Sequence, residues 1–125
     1  MPYQGYRDLK VFQLSYTLAM EIFEESKRFP REEQYSLTDQ IRRSSRSVAG
    51  NIAEGWKKRR YQKMFVSKII DSAGEAGETE VWLDVAKDSG YLPLSSYESL
   101  YSKYVELGKM LNGVIDKADR FCINN

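Results

Sequence analysis

Arg42, Arg43 and Arg46, followed by Lys57-Lys58-Arg59-Arg60 and Lys63, are the residues of this chain best suited to bind another molecule. Guanidinium groups match phosphate oxygens in fork geometry, and ammonium groups neutralise them as point charges. Trp56 and Tyr61 flank the basic run, supplying flat rings of the kind on which bases stack. Between Arg42 and Lys68 lie nine basic residues and one acid, Glu54, a local balance of +8 in a chain whose net charge is +1. Asp71 to Asp88 reverses it with six acids and one lysine, a balance of −5. Such a division points to a charged partner or to self-association through complementary faces.

Each group has a plainer reading beside the functional one. Arg42 and Arg46, four apart, stand together on one side of a helix as a phosphate-binding ridge, as a solvated face, or as partners of Glu75, Glu78 or Glu80. Four successive cations at Lys57 to Arg60 repel one another unless something offsets them; the run reads either as a nucleic-acid contact or as a solvated or protein-facing loop. Glu80 falls inside the apolar stripe of its helix, between Ala76 and Leu83. A buried carboxylate must be paired, hydrogen-bonded or protonated, so a structural ion pair with Arg42 or Arg43 is expected rather than a catalytic acid. Trp82 points almost the opposite way, onto a face with Asp71, Glu75 and Glu78, where it reads as an oligomer-interface anchor or as an indole lying over neighbouring side-chain stems.

Composition excludes much else. The 125 residues contain no histidine and one cysteine, Cys122. Imidazole bases, Ser-His-Asp and Cys-His catalysis, and structural zinc are therefore out. No catalytic residue, metal site, cofactor or small-molecule substrate is expected. Carboxylate, lysine or tyrosine chemistry remains open, which ranks an enzyme third. Hydrophobic residues make up 42% of the chain and charged residues 30%, ordinary for one globular domain spanning 1–125. No apolar run reaches the ~20 residues of a membrane span. Met1 to Tyr6 carries no export signal, and a lone cysteine suits a reducing compartment, so the cytoplasm is the expected location. A membrane-surface role lacks the apolar face it would need.

Four helical segments must position these residues. The first runs from about Asp8 to Arg28, with Val11, Phe12, Ser15, Leu18, Ala19, Ile22 and Phe23 at helical spacing and Pro30 as the stop. The second runs from Ser36 to Ala53, with Ser36 and Asp39 in capping-box-like spacing and Gly55 past the end. Its stripe is Leu37, Ile41, Ser45, Val48 and Ile52, and Ser44, Ser45, Ala49 and Ala53 are small enough to let another helix approach closely. The third, Tyr61 to Ser89, buries Phe65, Val66, Ile69, Ile70, Ala73, Ala76, Gly77 and Leu83. The fourth follows Gly90-Tyr91-Leu92-Pro93-Leu94, with Ser95-Ser96-Tyr97-Glu98 as a capping box and a stripe from Tyr97 through Leu107 to Cys122. No segment shows sustained period-two alternation. Four amphipathic helices on short loops predict an all-α, up-down-up-down antiparallel four-helix bundle.

Tyr6-Arg7-Asp8-Leu9, Phe29-Pro30, Gln40-Ile41-Arg42-Arg43-Ser44, Ser47-Val48, Asn51-Ile52-Ala53-Glu54-Gly55, Glu78-Thr79-Glu80 and Gly90-Tyr91-Leu92 form an ordered set of short motifs. Together they resemble the 23S-rRNA intervening-sequence protein family, the four-helix bundle proteins, over nearly the whole chain. Departures are Ser44 where alanine is usual, Gly77 within the third helix, and the dense basic run after Gly55. The resemblance implies a bacterial antiparallel bundle that assembles into a ring-like homo-oligomer, often a pentamer, with no assigned biochemical activity. It further implies similarity in fold to the accessory protein of diversity-generating retroelements, which binds nucleic acid and a reverse transcriptase.

The expected function is that of a non-enzymatic oligomer binding RNA or DNA through Arg42, Arg43, Arg46, Trp56, Lys57, Lys58, Arg59, Arg60, Tyr61 and Lys63. Phosphate neutralisation would supply most of the affinity, with limited stacking on Trp56 or Tyr61 and little sequence readout. The alternative is a homo-oligomeric interaction scaffold whose charged faces meet one another.

Overall fold

The computed structural model describes residues 3–122. Four α-helices dominate: α1 (Lys10–Ser26), α2 (Leu37–Lys57), α3 (Gln62–Asp88) and α4 (Leu94–Asp116). Single 3-10 turns at Tyr6–Asp8, Arg31–Glu33 and Ala118–Arg120 lead into or out of them, and no strand occurs among the described residues. Each helix packs on the next, and α4 returns against α1. With connectors as short as 58–61 and 89–93, consecutive helices run antiparallel, giving an all-α four-helix bundle.

The core follows the apolar stripes. Val11, Leu18 and Ile22 of α1, Ile41, Val48 and Ile52 of α2, Phe65, Ile69 and Leu83 of α3, and Leu100, Leu107 and Leu111 of α4 are almost fully removed from water. Small residues let α2 and α3 make the most extensive contact in the bundle. The hydroxyls of Ser44 and Thr79 lie 2.8 Å apart, and Ser72 Oγ donates to the Val48 carbonyl at 2.8 Å. Each satisfies a polar group that burial would otherwise penalise.

Helix ends differ from expectation in three places. Gly55 does not stop α2; it is a buried residue within it, and a Cβ there would lie 3.1 Å from Lys68 Cβ. Glycine at 55 thus serves close approach of α3 rather than termination. Ser36 does not cap α2 with its own side chain. Glu33 does so instead, accepting from Ser36 Oγ at 2.6 Å and from the Leu37 N–H at 3.2 Å, while its other oxygen accepts from Tyr91 Oη at 3.0 Å. Those hydrogen bonds, Ser36 first, hold the Glu33 carboxyl below the usual carboxylate range. The Ser95–Glu98 capping box is also absent: α4 already begins at Leu94, with the Pro93 carbonyl accepting the Tyr97 N–H at 2.9 Å. At the end of α3, Gly90 takes a φ of 81°. The Tyr91 and Gly90 amides then bond back to the Ala86 and Lys87 carbonyls, the pattern of a Schellman turn.

Tyr104 sits in the middle of the core with its hydroxyl buried and without a hydrogen-bond partner among the described residues. Burial pushes its ionisation far up, with the Glu21 carboxylate adding to the effect. An unpartnered buried hydroxyl costs about 1–3 kcal/mol, so Tyr104→Phe is expected to leave stability unchanged or raise it by about 1 kcal/mol. Thermal unfolding of the two proteins checks this; a clear loss in the variant would mean that the hydroxyl has a partner.

Candidate functional site

Arg42 and Arg46 leave α2 on the side away from α3. At about 100° per residue, Arg42 and Arg46 each stand about 160° from Ser44, which faces α3. They reach α1 instead. Arg42 Nε donates to Ser26 Oγ at 2.7 Å, and its guanidinium lies 4.8 Å from the centre of the Phe23 ring, with that of Arg46 at 5.8 Å. Arg43 is exposed and pairs with Asp39 at 2.9 Å. Arg42 and Arg46 make no salt bridge among the described residues.

The ion pair expected between Glu80 and Arg42 or Arg43 is therefore not formed: Arg42 faces the other flank of α2, and Arg43 pairs with Asp39. Glu80 is half-buried, and burial followed by the neighbouring Asp84 pushes its carboxyl above the usual range. An acid whose folded pKa is raised weakens folding as pH rises through the carboxylate range, since the folded state holds its proton longer. Glu80→Gln is accordingly expected to be at least as stable as the parent at pH 7, with the difference closing at pH 4. Thermal unfolding at the two pH values checks this. A large loss at pH 7 would restore a buried pair.

The basic run divides into spent and open charge. α2 continues one turn beyond Ala53, which places Trp56 four residues after Ile52 on the buried stripe. Trp56 is 4% exposed; Tyr3 meets it edge-on at 6.2 Å, and Tyr3 and Phe65 each lie against Phe121. Trp56 closes the end of the core and cannot stack on a base. Arg59 covers its ring at 3.9 Å and donates to its carbonyl at 3.0 Å. Glu54 bridges Lys58 at 3.0 Å and Lys68 at 3.2 Å, and these lysines, Lys58 first, hold its carboxyl low. Lys57, Arg60 and Lys63 are exposed and make no salt bridge among the described residues, and Tyr61 beside them is 62% exposed.

On α3, Trp82 is half-buried against the core and donates from Nε1 to Glu78 Oε2 at 3.2 Å. Burial, then Glu78 and Asp71, push the Glu75 carboxyl up. The most exposed apolar residues of this helix are Ile70 and Val81, and Ile70 had been expected in the core.

Sequence reasoning missed a row of rings on the outward side of α1. Tyr6 and Phe12 are 4.8 Å apart and Phe12 and Tyr16 6.0 Å apart. With Met20, Arg46, Ala49, Gly50 and Ala53, they line an open, largely apolar groove of about 330 Å³ between α1 and α2. Phe12 and Phe23 read as core because they share the helical stripe with Val11 and Leu18; both are half-buried, whereas Ala19, read the same way, is buried. The available signal was the width of that stripe, which exceeds what one core-facing helix uses. No group of three or more potential metal ligands occurs among the described residues, and none of their helices is long and apolar enough to cross a membrane.

An all-helical bundle with a basic α2–α3 corner and an acidic α3 face is the class these features define. The chain belongs to the 23S rRNA-intervening sequence protein family, whose model it matches over residues 7–113. It is similar to a protein of unknown function from the S23 ribosomal protein family of Bacteroides thetaiotaomicron VPI-5482, known from a 1.70 Å crystal structure. The TM-score is 0.76 at 29% identity, covering 84% of this chain and 97% of that one. No curated protein matches the chain.

Proposed function

We propose that this chain is a non-enzymatic bundle that holds RNA or DNA by its phosphates at the corner between α2 and α3, in the cytoplasm. The observation that carries the reading is the set Lys57, Arg60 and Lys63: three exposed cations around one tight turn, with no carboxylate partner among the described residues. Exposed Tyr61 is the remaining ring on which a base can stack. Lys58 and Arg59, committed to Glu54 and Trp56, contribute field rather than contacts. Phosphate contacts of this kind position a nucleic acid without reading its bases, so binding is weakly dependent on sequence and strongly dependent on salt. A salt-titrated binding measurement with single-stranded RNA, single-stranded DNA and duplex DNA tests the proposal, comparing the parent with Lys57→Ala/Arg60→Ala/Lys63→Ala.

A further inference from the structure

Two depressions on the outer surface of the bundle meet at Arg46 and Gly50, which line both. One is the apolar groove, walled on α1 by Phe12, Tyr16 and Met20 and on α2 by Ala49, Gly50 and Ala53. Along α2 it runs from Arg46 to Ala53, about 10 Å of helix axis, with Arg46 as the charged member of its lining. The other depression is polar, and holds Thr38, Asp39, Arg42, Arg43 and Ser47 beside the shared pair. Three arginines face one carboxylate there, and Asp39 is already taken by Arg43 at 2.9 Å. Arg42 and Arg46 have no carboxylate among the described residues, yet both guanidinium groups lie on the one Phe23 ring, at 4.8 and 5.8 Å. Like charges four apart on a helix repel each other. Nε of Arg42 is spent on buried Ser26, which fixes the group and leaves its two terminal nitrogens without a partner among the described residues. Gly50, at the seam, is exposed, and an added Cβ there would meet nothing. Glycine is the least favourable helix-interior residue after proline, and no contact inside this molecule calls for it at this position. Its small size keeps the two depressions continuous.

We propose that this seam binds a small organic anion with a flat aromatic body. The body lies in the apolar groove, and Arg46 and Arg42 hold its carboxylate, sulfonate or phosphate head in the polar depression. Shape selects the body. Rings stand on one wall, and side chains no larger than a methyl group stand on the other, which makes a slot for a flat group. Phe12 and Tyr16 offer it offset or edge-on ring contacts. Charge selects the head, because a guanidinium donates two parallel hydrogen bonds to a carboxylate or phosphate. An apolar lining with a few polar groups gathered at one end is the usual make-up of a small-molecule site, and about 330 Å³ lies at the small end of their range. Lys57 is eleven residues beyond Arg46, about 16 Å further along the helix axis, so this inference does not rest on nucleic-acid binding.

The test uses the full chain and two fluorescent probes that share one ring body: anilinonaphthalene sulfonate, which is anionic, and phenylnaphthylamine, its neutral counterpart. The parent is expected to bind the anion about tenfold more tightly than the neutral probe, the margin of a charge-assisted hydrogen bond. Arg46→Met keeps an apolar stem beside Phe23 and removes the charge. It should bring the anion down to the affinity of the neutral probe and leave the neutral probe unchanged. Gly50→Phe fills the seam and should abolish binding of both. Both positions are exposed, so helical circular dichroism should match the parent in each variant. On the parent itself, naphthoate is expected to displace the anionic probe at lower concentration than octanoate, which carries the same head on a linear chain. A parent that binds neither probe or binds both equally would overturn the proposal. So would an Arg46→Met protein that keeps the preference for the anion, a Gly50→Phe protein that still binds, or octanoate as the stronger competitor.

Discussion

Trp56→Ala is expected to cost about 3–5 kcal/mol of folding stability, the range for truncating a large buried aromatic residue. A domain of this size holds only about 5–15 kcal/mol in total, so the variant should be marginally folded and melt tens of degrees lower. The loss has identifiable parts: the cavity left beside Tyr3 at the end of the core, and the ring on which Arg59 rests. Trp56→Phe keeps most of the apolar volume and should recover much of the stability. Urea unfolding of the three proteins separates this from the stacking role that the flanking sequence invites. A Trp56→Ala protein as stable as the parent but impaired in nucleic-acid binding would place the indole on the surface.

That residue shows where the sequence was legible and where it was not. The four stripes were readable because burial of one helical face imposes a period that survives in the residue types, and Ile52 to Trp56 obeys it. What hid Trp56 was Gly55, read as a stop. Whether a helix-end glycine terminates or allows close approach depends on what lies opposite, here Lys68 and Phe65. The same limit governed the charges. The angular positions of Arg42, Arg46 and Glu80 were readable, but which neighbouring helix each arginine flank faces is a property of the assembled bundle. Phe23 and Ser26, rather than Glu80, are what Arg42 meets. Helix starts failed for a related reason: Glu33 and Pro93, both outside the expected caps, supply the bonds that begin α2 and α4.

The second large effect concerns the open cations. Lys57, Arg60 and Lys63 are exposed, so replacing them with alanine should leave the fold intact and act on binding alone. Each phosphate contact made to duplex DNA contributes roughly 0.9 to the slope of log affinity against log salt, through the counterion it releases. Three such contacts make up a slope of roughly 2–3, and affinity at low salt should fall by orders of magnitude when they are removed. Arg42→Ala/Arg46→Ala, in contrast, should leave the slope nearly unchanged, since Arg42 is tied to Ser26 and both guanidinium groups lie over the Phe23 ring, away from the α2–α3 corner.

The most direct measurement is the affinity of the parent and of Lys57→Ala/Arg60→Ala/Lys63→Ala for one duplex DNA, titrated over salt by fluorescence anisotropy. The parent should bind at low salt and weaken steeply as salt rises, and the variant's line should be flatter by roughly 2–3. Absence of binding by the parent at low salt to duplex DNA, single-stranded DNA and single-stranded RNA alike, or a variant with the parent's slope, would contradict a phosphate-binding corner between α2 and α3.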